Sequence, residues 1–329
     1  MIFVYYILTA AAVVWFSIAA SRYIDMIDRT TRLSGAFLGG VLLSAVTSLP
    51  ELFTSISATV LIDNPSLCIG NILGSNLFNS GMLAVVILFF LCRFSATKLS
   101  CSHGYVVGFL LLMYCAVAAN MQGWISADII LGNSEFPWLY VSVTSLLLIA
   151  FYVMSIRYLA ADNVSAAADA PQSDDDNATD LSLRTIVVRF TMASLGIIAA
   201  SIALTYITDD IAAAYNLGSG LAGALFLGVA TSLPEVTSTI SLFRMRNFDI
   251  AFGNIIGSNV FNFFVLAIAD LLYAGCGVYD FSDDKVVNLT LFGIAASVAT
   301  LVMLRCRAAW AKAVCAALTA ACYIAFLAV

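Results

Sequence analysis

Thr47-Ser48-Leu49-Pro50-Glu51 recurs residue for residue as Thr231-Ser232-Leu233-Pro234-Glu235. Further on, Gly70-Asn71-Ile72-Leu73-Gly74-Ser75-Asn76-Leu77-Phe78-Asn79 recurs as Gly253-Asn254-Ile255-Ile256-Gly257-Ser258-Asn259-Val260-Phe261-Asn262. The offsets are 184 and 183 residues. Two motifs in one order at nearly one offset mark an internal duplication. Each copy lies inside a long apolar stretch, so the duplicated unit is a piece of membrane protein.

The 329 residues are 62% apolar and 10% charged, with a mean hydropathy of +1.00. That balance excludes a soluble globular domain. A hydrocarbon core of about 30 Å needs roughly 20 apolar residues per helix. Ten such stretches can be read, at about 2–21, 34–61, 67–92, 104–121, 137–159, 186–207, 218–243, 250–274, 286–304 and 308–328. The first has no basic residue ahead of it and no small-residue cleavage site behind it, which predicts a retained helix instead of a signal peptide. Basic residues gather in cytoplasmic loops. With the N-terminus outside, all 14 lysines and arginines except Lys285 fall on the inner side. This places both termini outside and fixes an even number of spans.

The polar segment 160–182 holds Asp162, Asp169, Asp174, Asp175, Asp176 and Asp180 among alanines and serines. It is expected to be a disordered cytoplasmic linker, since it lacks the spaced ligands and turn glycine of a calcium loop. It separates a five-helix repeat at 1–159 from another at 183–329. Because five is odd, the second repeat enters the membrane from the opposite side. The expected fold is an all-α integral membrane protein of ten helices in two inverted-topology repeats, a plan shared by many secondary transporters.

A charge at membrane depth costs at least about 2.5–3.5 kcal/mol and is usually functional. Three acids fall inside the expected spans: Glu51, Glu235 and Asp270. Glu51 and Glu235 lie halfway along the second and seventh stretches, and Asn79 and Asn262 halfway along the third and eighth, so these four should converge. Residues four apart share a helix face, which adds Thr47, Thr231, Ser75 and Ser258 to the set. All are hard oxygen donors, suited to calcium, sodium, magnesium or manganese. Pro50 and Pro234 lack an amide hydrogen and release the carbonyls of Val46 and Ala230. Gly70, Gly74, Gly253 and Gly257 allow the third and eighth helices to approach the second and seventh closely. Protonated, packed glutamates are the alternative for the acids, and back-bonding to a carbonyl one turn earlier is the alternative for each hydroxyl. Asp270 has Ile87 as its counterpart and is expected to be a solvated interfacial residue. The eight cysteines show no C-x-x-C spacing and read as packing residues.

Thr-Ser-Leu-Pro-Glu followed by Gly-Asn-x-x-Gly-Ser-Asn-x-x-Asn, once per half, resembles the α-repeats of the sodium/calcium exchanger family. The resemblance implies that Glu51 and Glu235 are the central calcium ligands, completed by main-chain oxygens near Thr47 and Thr231. It implies sodium sites at Ser75 and Ser258, with Asn79 and Asn262 beside the centre, and a sliding motion of the first and sixth helices. It further implies a prokaryotic plasma-membrane protein that moves more sodium charge than calcium charge. Three departures stand out. Val46 and Ala230 occupy positions where many relatives have glycine. Asn262 stands where some relatives, including the potassium-dependent branch, place an acid. The central linker has no room for the calcium-sensing domains of animal exchangers.

The expected function is therefore sodium-driven, electrogenic, potassium-independent calcium extrusion. The partners are calcium, sodium and the lipid bilayer, with no cofactor and no nucleic acid. A monomer suffices for transport. Proton/calcium exchange is the alternative, although the sole histidine, His103, is expected in a cytoplasmic loop away from the midplane. A cation channel fits less well, and no nucleophile–base pair, phosphate loop or zinc signature suggests an enzyme.

Overall fold

The computed structural model describes residues 1–31, 44–97, 99–125, 128–130, 140–169, 182–273, 277–279 and 283–329. Helix α1 is Ile2–Thr31; residues 44–47 are helical, and after a bend at Ser48 the chain continues as α2, Leu49–Leu61. There follow α3, Pro65–Phe89, a short helix Leu91–Ala96, and α4, Ser102–Met121. After α5, Val143–Asp169, come α6, Leu183–Tyr215, α7, Ser219–Thr231, and α8, Leu233–Arg244. The last three are α9, Phe248–Leu272, α10, Asp284–Arg305, and α11, Ala309–Ala328.

Seven of these, α1, α3, α4, α6, α9, α10 and α11, are long and apolar enough to cross a membrane, and α7 with α8 makes an eighth, bent by 45° at the break. Two shorter apolar helices, Leu49–Leu61 and Val143–Tyr158, lie in the remaining expected stretches. The chain is thus an all-helical integral membrane protein with one small exception. Asp128–Ile130 and Tyr140–Ser142 pair antiparallel, with Ile129 opposite Val141. The expectation for 160–182 also needs correcting, because α5 runs on through Asp169. Alanines and a single mid-segment valine carry the helix forward where composition alone suggested irregular chain. Residues 170–181 lie outside the described residues, as do 34–43 of the second stretch.

Burial separates the helices into centre and rim. Two-thirds of the apolar windows of α3 and α9 are buried, against 17% for α1 and 22% for α11. A helix that is apolar on every side belongs in a core or in lipid. Here α3 and α9 take the core, while Trp15, Leu195 and Leu291 on other elements are exposed, as lipid-facing residues should be. α1 lies alongside α6, with Gly196 receiving the ring of Phe16. α3 presses backbone to backbone on α7: a Cβ on Gly70 or Gly74 would overlap Gly220 or Ala224, and one on Gly228 would lie 2.8 Å from the Ser75 amide nitrogen. Such close approach is the packing use of small residues in membranes. Gly253 and Gly257 of α9 instead meet the side chains of His103 and Ser44.

Candidate cation site

Both Thr-Ser-Leu-Pro-Glu copies break their helices at the serine. Ser48 has φ −91° and ψ 12°, Ser232 φ −84° and ψ −1°, and a proline follows within the first two helical positions of α2 and of α8. The cause is local: a proline amide cannot bond to the carbonyl four residues earlier, and its ring clashes there. Val46 and Ala230, whose carbonyls face this loss, are both buried. The break also sets Glu51 and Glu235 in a first helical turn, where the positive end of the helix dipole favours a carboxylate.

Both glutamates are fully buried. Each is held by the serine of the other copy. Ser48 Oγ donates to Glu235 Oε1 at 3.0 Å, and Ser232 Oγ donates to Glu51 Oε1 at 3.2 Å. The remaining oxygens, Glu51 Oε2 and Glu235 Oε2, have no partner. Among the described residues no basic side chain pairs with either carboxylate.

The asparagines repeat the pattern. Asn79 Nδ2 donates to Asn259 Oδ1 at 3.1 Å, and Asn262 Nδ2 donates to Asn76 Oδ1 at 2.9 Å. With their NH₂ groups committed, Asn79 Oδ1 and Asn262 Oδ1 are left buried and unpartnered. Four symmetry-related oxygens are therefore buried without donors, a state that costs roughly 1–3 kcal/mol per group unless something satisfies it. A cation satisfies such acceptors, as a donating water or, at a carboxylate, a proton also does. The donor set is two carboxylates among amides and hydroxyls; no cluster of three or more His, Cys, Asp or Glu exists among the described residues. That suits a hard ion and not a thiophilic metal.

The hydroxyls divide. Thr47 Oγ1 bonds back to the Ser44 carbonyl at 3.1 Å and Thr231 Oγ1 to that of Leu227 at 2.9 Å, so the back-bonding alternative holds for these two protons. Ser75 Oγ donates to the Gly228 carbonyl at 3.2 Å, tying α3 to α7, whereas Ser258 Oγ is unpartnered. The residues that reasoning along single helices missed are Ser48, Ser232, Asn76 and Asn259. All four stand inside the duplicated motifs, which was the available signal.

A profile described as "Sodium/calcium exchanger protein" matches residues 1–160 and 185–329. The chain belongs to the sodium/calcium exchanger family. Within that family it is 27% identical over 255 residues to the inner membrane protein YrbG of Escherichia coli, covering 76% of this chain and 74% of that protein. Two solved structures share the exchanger fold. The H⁺/Ca²⁺ exchanger CAX superposes with a TM-score of 0.68 at 15% identity, over 99% of this chain and 81% of that one. The sodium-calcium exchanger NCX_Mj superposes with a TM-score of 0.61 at 19% identity, over 100% and 99%.

Two ionisable residues of this exchanger-family chain sit differently from expectation. Asp270 is not solvated: it is 2% exposed, its Oδ2 accepts from Ser145 Oγ at 2.6 Å and its Oδ1 from the Val278 amide at 3.0 Å. Gly277, with φ +92°, and Val278 lie against it. His103 is not in a loop but in the first turn of α4, buried, with Nε2 3.0 Å from Asp249 Oδ1.

Proposed function

We propose that the protein is a secondary active antiporter that expels calcium in exchange for entering sodium. It would work by alternating access through ten spans in two inverted repeats, with both termini outside. The observation that carries this reading is the reciprocal hold of the two buried glutamates, each steadied by the other copy's serine with one oxygen left free. Two carboxylates balance one dehydrated divalent cation. Glu51 and Glu235 are the central calcium ligands, with the carbonyls of Val46 and Ala230 and the oxygens of Thr47 and Thr231 beside them. Ser75 and Ser258 flank the centre as sodium sites, and the free oxygens of Asn79 and Asn262 face it.

A neutral Asn262 adds no charge to the cage, so potassium is not required. More sodium charge enters than calcium charge leaves, so transport is electrogenic. Each net charge is worth about 2.3 kcal/mol per 100 mV, and an inside-negative potential speeds extrusion.

The test is calcium uptake into proteoliposomes under an outward sodium gradient and, separately, an outward proton gradient. Uptake following sodium, unaffected by potassium and altered by a clamped potential, is expected. Uptake following protons alone would assign the protein to proton/calcium exchange. Glu51→Gln and Glu235→Gln should each abolish flux while leaving the thermal midpoint of the folded protein in place. Near-normal flux in either variant removes that residue from the site.

A further inference from the structure

A side-chain amide has two unlike ends, and only the oxygen can ligate a cation. Which end Asn79 presents is decided two residues away in the hydrogen-bond chain. The NH₂ of Asn259 lies 3.3 Å from the main-chain carbonyl of Asn76 and 3.0 Å from Ser80 Oγ. A carbonyl can only accept. Ser80 has already given its proton to that same Asn76 carbonyl at 2.8 Å, so towards Asn259 it too is an acceptor. Two acceptors therefore pin the NH₂ end of Asn259, and its oxygen must point the other way, to Asn79. There it takes the Asn79 NH₂ at 3.1 Å, which leaves Asn79 Oδ1 as the free end.

The second copy lacks this anchor. The counterpart of Ser80 at the motif's 183-residue offset is Phe263, which offers no acceptor, and the group beside the Asn76 amide is the Tyr114 hydroxyl, which can turn to give or to take a proton and so fixes neither end. The pair Asn262–Asn76 is hydrogen-bonded but not pinned from behind.

We propose that Asn259, anchored by Ser80 and the Asn76 carbonyl, is a positioning residue that fixes the oxygen of Asn79 towards the transported cation. Phe263 leaves the Asn262 amide without an equivalent lock. The inference rests on the cation-site reading above, and it assigns to Asn259 no direct contact with the ion.

A double-mutant cycle on calcium uptake tests it. Asn259→Leu should raise the calcium KM roughly 10–100-fold, the usual effect of losing a group that orients a ligand, with the maximal rate little changed. Ser80→Ala, which removes one of the two anchors and leaves the fold intact, should raise KM less. In an Asn79→Ala background both substitutions should leave KM unchanged. An equal KM effect in both backgrounds, or none in the wild-type background, would overturn the proposal.

A second readout needs no cation. In detergent-solubilised protein labelled with ¹⁵N-asparagine, the Asn79 NH₂ signal, identified by its loss in Asn79→Ala, should exchange slowly with water. Asn259→Leu should make it exchange fast, and unchanged exchange refutes the orientation. Absence of calcium uptake in the wild type would instead sink the functional reading, while the exchange measurement still decides this one.

Discussion

The two ends of the α3–α9 pair are closed in different ways, although the same ten-residue motif builds both. Where α3 begins, Gly70 and Gly74 lie on the backbone of Gly220 and Ala224. The same end holds the buried Asp270 with Ser145 and the Val278 amide, and Gly220 N–H bonded to Asp283 at 2.9 Å. Where α9 begins, Gly253 and Gly257 meet, among the described residues, the ends of side chains, His103 Cε1 at 3.0 Å and Ser44 Oγ at 3.1 Å from an added Cβ. The hydrogen-bonded pair there, His103–Asp249, has its carboxylate 45% exposed. A paired contact also differs. Asn71 places both of its bonds on Nδ2, to Thr54 and Ser55 at 2.9 and 3.0 Å, whereas Asn254 divides them, Nδ2 donating to Ser238 at 3.0 Å and Oδ1 accepting from Ser44 at 3.5 Å. Duplicate sequence does not mean duplicate environment. The described contacts at one end are main chain, which cannot yield without moving a helix; the described contacts at the other are rotatable groups.

Substitutions at the matched glycines should expose this difference most strongly. Gly74→Ala drives a methyl into the Ala224 backbone, and overpacking of this kind costs about 1–3 kcal/mol. The expected result is a lower thermal midpoint in detergent and loss of calcium flux. Its partner, Gly257→Ala, meets among the described residues just the Ser44 hydroxyl, and gains helix propensity of roughly 1 kcal/mol. A near-unchanged midpoint is expected; equal damage from both variants would abolish the distinction.

Next in size is Asp270→Asn. An amide oxygen keeps the bond from the Val278 N–H, but the NH₂ faces Ser145 Oγ, which must reverse and give its proton to the Tyr279 hydroxyl; bonds accepted by a carboxylate become weaker neutral ones, at a cost of about 1–3 kcal/mol. The midpoint should fall while the calcium KM stays unchanged; a raised KM would place Asp270 on the ion path. Smallest is Asp249→Asn. A half-exposed pair contributes about 0–1 kcal/mol, so the expected change in midpoint is barely measurable, and a large drop would show that the α9 end is locked as firmly as the other.

How much of this the sequence carried depended on the distance between interacting groups. The duplicated motifs located Glu51, Glu235, Asn79 and Asn262, because an acid or amide at mid-span is rare and a repeated one rarer. Helical spacing then supplied neighbours on the same helix, and its reach ended there. Thr47 and Thr231 share a face with the glutamates, yet the serines that hold those carboxylates come from the other copy, 187 and 181 residues away. No periodicity reports a contact of that range. Asp270 was misjudged for a related reason: Gly277 and Val278 lie against it, a contact that leaves no mark on hydropathy. One further pair of residues shares the motifs' offset. Ser17 on α1 and Ser201 on α6 stand 184 residues apart, and both are fully buried with unpartnered hydroxyls. Around them too few identical residues remain for the eye to align.

The crossed serine–glutamate bonds have a consequence for biosynthesis. Ser232 is 181 residues downstream of Glu51, and synthesis runs at about 5–20 residues per second. Glu51 therefore enters the bilayer roughly 10 to 40 seconds before its partner exists. The nascent first half must spend that interval as a membrane guest with its key acid unmatched. The same logic makes either half, produced alone, a bundle with a bare glutamate and a serine that has nothing to hold, whereas two halves made as separate chains contain every atom the centre needs.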